Sequence, residues 1–510
     1  MQKYYLLIFF SLAFFSCNRL DDTSVTPPDG EVLQSKSTFV TAPDQPLLSR
    51  NDLDQLITDH ITQQGNLNWK DVDLRVIWSA ASTNHQIVVG YQPADVTDAD
   101  KILHQIDVKT LKWKAVHDAL LTRIVNLLQS KGKSVTQLEI VVEDDPVLPV
   151  LVLSVDDKDV ITDLFNLKNV RYVEPYGYWP NNWVARSSSG CNSSTEPLNA
   201  ADLTTITPGC QLPWNYNSLN IPTAWNTTQG EGIRIGVIDA GISISQPLLG
   251  AQFNDGMSNV SRTITADYTL GNSAYTTCTH GTSMCGAAAG PRNTQNATTG
   301  VAYKSGLHFI RACNDVVLDA SSELTGTKNA LIRMGDLSTI RVISMSIGTP
   351  FASGALKDGV IYAYNKGKLI MAAAGTSFSL TSWWGVIYPA AYSQCVAVTG
   401  VKESGTTCAT CHDGSQVMFT VPMERTTNSN RNSLSLNPSG YNASYIGGSS
   451  IATSTAAGIA ALTWSVKPTL TSTQVIDIMT RTSQFYPSRN STKGYGNLNA
   501  AAAVTLATTY

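Results

Sequence analysis

The sequence is poor in charge. Of its 510 residues, 35 are Lys or Arg and 39 are Asp or Glu, so charged side chains make up 15%, against roughly 25% in an ordinary soluble protein. The formal net charge is −4, and no Lys/Arg cluster able to track a phosphate backbone occurs, which argues against nucleic acid as a partner. Past the first residues no apolar run approaches the ~20 residues that cross a bilayer, so the bulk of the chain does not read as membrane-embedded. No internal repeat recurs, which argues against a solenoid. The length itself allows more than one domain with a sizeable core.

What is present begins with an export signal. Lys3 supplies the positive start, and Leu6 to Phe15 is an apolar run too short to span, ending at Ser16. Cys17 follows directly, a pattern that resembles a bacterial lipoprotein signal, with Cys17 as the lipidated first residue and a membrane of the cell envelope as the place of anchoring. The bulky Phe14 and Phe15 depart from that pattern, and an ordinary signal cut nearby, releasing a secreted chain, is the alternative. Removing Cys17 from nine cysteines leaves eight, and an even count in an exported chain suggests disulfides. Spacing suggests Cys191 with Cys210, Cys278 with Cys313 and Cys408 with Cys411, with Cys285 as a free thiol in a helix core.

Residues 17–48 are rich in Asp, Thr, Ser and Pro and read as a flexible tether. Residues 49–184 have the texture of a smaller α+β domain. Helices are expected over Ala115–Leu128 and Asp156–Leu167, and strands over Leu138–Val142, Val147–Val155 and Val170–Val173. Residues 185–209, dominated by Ser, Thr, Asn and Gly, read as a linker that is easily cut. From 210 to 510 the grammar changes. Apolar runs at Ile233–Ile238, Leu307–Ala312, Arg341–Ser346, Leu369–Ala374 and Val396–Val401 alternate with helical stretches at Gly354–Lys366, Thr453–Val466 and Thr471–Arg481. Near-continuous apolar strands separated by helices predict an α/β fold with a doubly wound parallel sheet, whose ligands bind at the carboxyl ends of the strands.

Three such ends carry chemistry. Asp239 closes the first apolar strand, His280 precedes a small-residue run, and Ser450 opens a helix of small side chains. Singly, each has a plain structural reading, as turn former, cap or packed imidazole, and helix cap. Together, in the order Asp, His, Ser, they hold the parts of a charge-stabilised serine nucleophile. The segments IRIGVIDAGI at 233–242, HGTSMCGAAAG at 280–290 and GSSIATSTAAG at 448–458 resemble the Asp, His and Ser segments of the subtilisin-like serine proteases. The likeness runs from about Leu212 to the end, the last three-fifths of the chain.

That resemblance implies a serine endopeptidase acting on polypeptides, with Ser450 as nucleophile, His280 as proton carrier and Asp239 as its orienting acid. It implies that Ser346, Ile347, Gly348, Ala373, Ala374 and Gly375 bind substrate backbone and wall the first pocket, and that Ser450 and position 376 serve the oxyanion. There the family's Asn is Thr376, which predicts a slow, selective enzyme. Ser454 and Gln246 replace a Pro and a His of the family pattern. Asn169 to Pro175 resembles the end of an inhibitor-type, ferredoxin-like propeptide, which would act as the chain's own intramolecular inhibitor and be released by a self-cut between Trp179 and Gly209. No cofactor is required and no metal ligands are assigned; calcium is common in the family, but no Asp-rich loop stands out here. Two other readings stay open. One is an idle peptide-binding relative. The other is a c-type haem lipoprotein, in which Cys408, Cys411 and His412 attach the haem and Met418 or Met423 is a second axial ligand.

Overall fold

The computed structural model describes residues 32–181, 183, 191, 194, 196–377 and 384–510. The export signal, Cys17, the first part of the tether and part of the expected processing segment lie outside the described residues.

The amino-terminal unit opens with two helices, α1 (Arg50–Gln64) and α2 (Leu74–Asn84). Ser49 caps the first and Asp73 the second through side-chain oxygens. Then follow β1 (Ile87–Tyr91), α3 (Leu111–Ser130), β2 (Val141–Asp144), β3 (Val150–Leu153), α4 (Lys158–Phe165) and β4 (Val170–Pro175). The sheet is antiparallel in the order β2-β3-β1-β4. This β-α-β-β-α-β path is the ferredoxin-like arrangement expected from sequence. Part of the tether is not free. Leu33 is buried, Lys168 N donates to Gln34 O at 2.7 Å, and Lys36 N donates to Asn166 O at 2.7 Å, so residues 33–36 lie along the start of β4.

The second unit holds a nine-stranded sheet. Its strands are β5 (Arg234–Asp239), β6 (Ile264–Tyr268), β7 (Gly306–Arg311), β8 (Ile340–Met345), β9 (Leu369–Ala373), β10 (Cys395–Lys402), β11 (Val417–Arg425), β12 (Asn428–Leu436) and β13 (Ala443–Ile446). They lie in the order β13-β12-β11-β10-β9-β8-β5-β7-β6. All pairs from β6 to β11 are parallel, and β12 and β13 add antiparallel strands at one edge. The chain leaves β5 for one side of the sheet and returns on the other at β8. Their carboxyl ends therefore flank the crevice where such sheets bind ligands. On one face α5 (His280–Ala289), α8 (Gly448–Val466), α9 (Ser472–Arg481) and α10 (Ala500–Thr509) bury Leu307, Phe309, Val342 and Met371; on the other, α6 (Ser321–Asp336) and α7 (Gly354–Asn365) bury Ile238, Ile310, Ile343 and Ile370. Residues 199–209, expected as linker, are ordered. A hairpin of Leu203–Ile206 and Cys210–Pro213 is tied to the last strands by the buried Asp202, which accepts from Arg425 (2.8 Å) and Arg431 (2.6 and 2.7 Å).

The two units meet at α6 and α7. Val88, Val150, Val152 and Tyr172 of the four-stranded sheet share one apolar core with Leu324, Leu331 and Leu356 of those helices. Arg171 grips Asp358 with two hydrogen bonds (2.7 and 2.8 Å), and the Tyr172 hydroxyl donates to the same carboxylate at 2.8 Å. Glu174 accepts from Gly354 N at the start of α7 (2.7 Å). Lys328, 1% exposed, is held between Glu143 (2.8 Å) and Asp145.

Candidate active site

Asp239 ends β5 fully buried and accepts from the backbone N–H of Ala240 at 2.8 Å. His280 is the first residue of α5, and its Nδ1 donates to Asp239 Oδ1 at 2.8 Å. Gly281 makes that approach possible, because a Cβ there would lie 2.4 Å from the Phe309 ring and 2.6 Å from Gly241 O. Burial by itself would push the imidazole down. The Asp239 carboxylate, through charge and hydrogen bond, with Asp315 adding more charge, outweighs it and raises His280 above its ordinary 6.5.

Ser450 lies in the first turn of α8 at the rim of a cavity, 9% exposed, with its carbonyl accepting from Ser346 Oγ at 3.0 Å. Helices α5 and α8 run side by side in one register. Ser454 Oγ lies 3.1 Å from Met284 Sδ, and a Cβ on Gly458 would stand 2.9 Å from Ala288 O. The two helices thus pack along each other, with His280 opening one and Ser450 in the first turn of the other. The start of α8 itself lines the cavity, and a helix amino terminus suits a developing negative charge.

Of the residues expected to bind substrate, Ser346, Ile347, Gly348, Ala373 and Gly375 line this cavity together with Thr376. Ala374 stands behind it, its N–H donating to Val398 O and its carbonyl accepting from Ile387 N, both at 2.9 Å. Ile387 and Trp384, which the sequence reading missed, also line the cavity. Ser449 was missed as well: its Oγ accepts from Gly375 N (3.0 Å) and lies 3.1 Å from Thr376 Oγ1, which in turn accepts from Ser449 N (3.0 Å). The Thr376 hydroxyl is thus turned toward Ser449.

Against this geometry, the family model of the subtilase family matches residues 230–497. The chain belongs to the subtilase family. It is 28% identical to thermitase of Thermoactinomyces vulgaris over 204 residues, covering 40% of this chain and 67% of thermitase. It is 32% identical to subtilisin DY of Bacillus licheniformis over 286 residues, 54% of this chain and 92% of that protein. It is also 32% identical to a subtilisin of Bacillus pumilus over 299 residues, 57% and 98%. The subtilase is a serine-type endopeptidase.

Its disulfides correct the spacing argument. Cys191 pairs with Cys278, not Cys210, and Cys313 is a buried free thiol; Cys408 pairs with Cys411 as expected, and Cys285 is free and buried as expected. Proximity along the chain misled because Cys210 is fixed in its hairpin and Cys313 is buried just past β7, while Cys191 meets Cys278, two residues before His280. Among the described residues, one group of metal-ligating types closes up, Cys191, Cys278 and Asp315, and two of its three donors are the bonded sulfurs. The sulfurs that a haem would need as thioethers are likewise joined to each other in the subtilase. No helix among the described residues is long and apolar enough to cross a membrane.

Proposed function

We propose that this subtilase is an exported proenzyme that cuts peptide bonds, including one of its own, through Ser450, His280 and Asp239. In this reading His280 Nε2 takes the proton of Ser450 Oγ as that oxygen attacks the scissile carbonyl, then returns it to the leaving amine. Asp239 holds the ring in the tautomer with Nδ1 protonated and stabilises the imidazolium. Ser450 N–H, at the positive end of α8, meets the oxyanion, and Thr376 stands in the second donor's place with a shorter arm, making turnover slow. The observation that carries the reading is the buried 2.8 Å bond between His280 and Asp239, at the foot of a helix that packs along the one carrying Ser450 in its first turn. Only the neutral imidazole accepts a proton, so activity should rise with pH through the raised pKa of His280.

The amino-terminal unit is proposed as the inhibitor. Its support is the shared core with α6 and α7, and the path of the chain beyond it. Trp183 stacks on Phe351 (5.7 Å between centroids) and lies 5.3 Å from Trp384 on the cavity wall. The α1–α2 loop reaches the same wall, where Gly385 N donates to Gly65 O at 2.7 Å. A lipid on Cys17 would hold the proenzyme to an envelope membrane through the tether. Mass spectrometry of the purified chain tests self-processing: one cut between Trp179 and Gly209 is expected in wild type and none in Ser450→Ala, and a cut persisting in the variant rejects it. The engagement of Thr376 Oγ1 by Ser449 favours a second reading, a peptide-binding relative without turnover, for which the wild-type chain would stay whole.

A further inference from the structure

The Cys-x-x-Cys-His segment lies directly behind the backbone on which the site depends most. His412 N donates to Gly375 O at 3.0 Å and Ser377 N to Thr410 O at 2.6 Å, an antiparallel pairing with Thr376 opposite Cys411. The imidazole of His412, 3% exposed, rests on Gly375, whose φ is +128° and where a Cβ would lie 2.1 Å from Nδ1. The same Nδ1 donates to Gly385 O at 2.9 Å, tying in the far side of the cavity wall. The loop is itself anchored. The Cys408–Cys411 bond closes it, and Ala409 N donates to the buried Glu424 at 2.8 Å. A staple serving only the connection from β10 to β11 would not require a ring laid on a glycine just past the end of β9.

We infer that the Cys408–His412 loop is the positioning element for Gly375 and Thr376, with His412 as the positioning residue. Ser449 fixes this backbone from the serine side and the loop fixes it from behind. The inference rests on the reading of Ser450 as nucleophile. Catalytic geometry must hold to a fraction of an ångström, and a misplacement of about 1 Å costs on the order of 100-fold in rate. The disulfide lowers the freedom the loop would otherwise keep, so that the pairing with residues 375–377 is set before substrate arrives.

The test compares the full, self-processed chain with His412→Ala, His412→Asn and Cys408→Ser/Cys411→Ser, reading kcat and KM on a peptide substrate and hydrogen exchange over residues 371–377. Loss of the ring should lower kcat about tenfold or more with a smaller change in KM, and speed exchange in that segment. His412→Asn, whose side-chain amide can still reach Gly385 O, should recover most of both. The double serine variant should shift exchange and kcat in the same direction, and it carries the test should His412→Ala fail to accumulate. Unchanged exchange over 371–377, or an asparagine variant no better than alanine, overturns the inference. Failure of the nucleophile reading shows separately, as a wild type without turnover, and the exchange measurement still decides whether the loop holds the segment.

Discussion

The nine-stranded sheet covers both of its faces with helices of its own unit, whereas the four-stranded sheet takes its second cover from α6 and α7 across the interface. In β1 this leaves Ile87, Val88 and Val89 all buried, Val88 against the second unit and its neighbours against their own helices. The unit carrying Asp239, His280 and Ser450 thus covers both faces of its sheet with its own helices, while one face of the amino-terminal sheet is covered only from across the interface. Such an arrangement would suit the proposed role of a part that is used once and removed. Its polar contacts, Arg171 and Tyr172 on Asp358 and Lys328 between two acids, are buried pairs whose worth depends on both partners staying in place.

The largest effect expected is on whether the two units separate at all. Ser450→Ala should lower kcat by about 10⁴-fold or more and leave the chain whole on a denaturing gel; separation in the variant would break the link between site and release. Next, Lys328→Met leaves Glu143 and Asp145 facing an uncharged side chain, a loss on the order of 3–5 kcal/mol for a buried pair. The cut amino-terminal unit should then dissociate from the second unit in gel filtration under conditions where wild type co-elutes, and unchanged co-elution would mean the pair adds nothing across the interface. A third effect is a pH dependence. Burial pushes Glu174 up to about 7 from its ordinary 4.5, partly offset by Gly354 N–H and Lys70, with Asp358 raising it further and Lys357 opposing. The associated state thus binds a proton more readily than the separated one, so association strengthens as pH falls from about 7 toward 4.5 and is weakest above 7. Co-elution at pH 5 and pH 8 reads this, and Glu174→Gln should flatten it; a wild type indifferent to pH would contradict it. The smallest is Thr376→Asn, which offers the oxyanion a longer donor and should raise kcat modestly, measured on the processed enzyme; unchanged or lower kcat would show that the Ser449 contact matters more than the donor.

Much of the second unit was legible because its chemistry is local. Strands that end in Asp239 and Met345, and helices that carry His280 and Ser450 in their first turns, announce themselves by an apolar run meeting a polar residue and glycine. The amino-terminal unit was harder. Helix α1 buries only Leu53, Asp54, Ile57 and Ile61, a narrow stripe, and β1 lacks alternation because both its faces are covered. Strands β12 and β13 hide among Ser and Asn; Asn428 to Asn432 hold almost no apolar residue and pair only at the edge. The partners of the site were invisible for another reason. Ser449 and His412 reach Thr376 and Gly375 from segments far along the chain, and no spacing within one segment encodes such a contact. The expected Cys191–Cys210 and Cys278–Cys313 pairs failed on the same ground, whereas the local Cys408–Cys411 bond did not.

The account is tested most directly by an active-site-directed fluorophosphonate, with the labelled peptide mapped by mass spectrometry. It predicts a single adduct on Ser450 in the processed chain, absent in Ser450→Ala and slow to form in His280→Ala. An adduct elsewhere, or an unlabelled Ser450 in a folded wild-type chain, would contradict it.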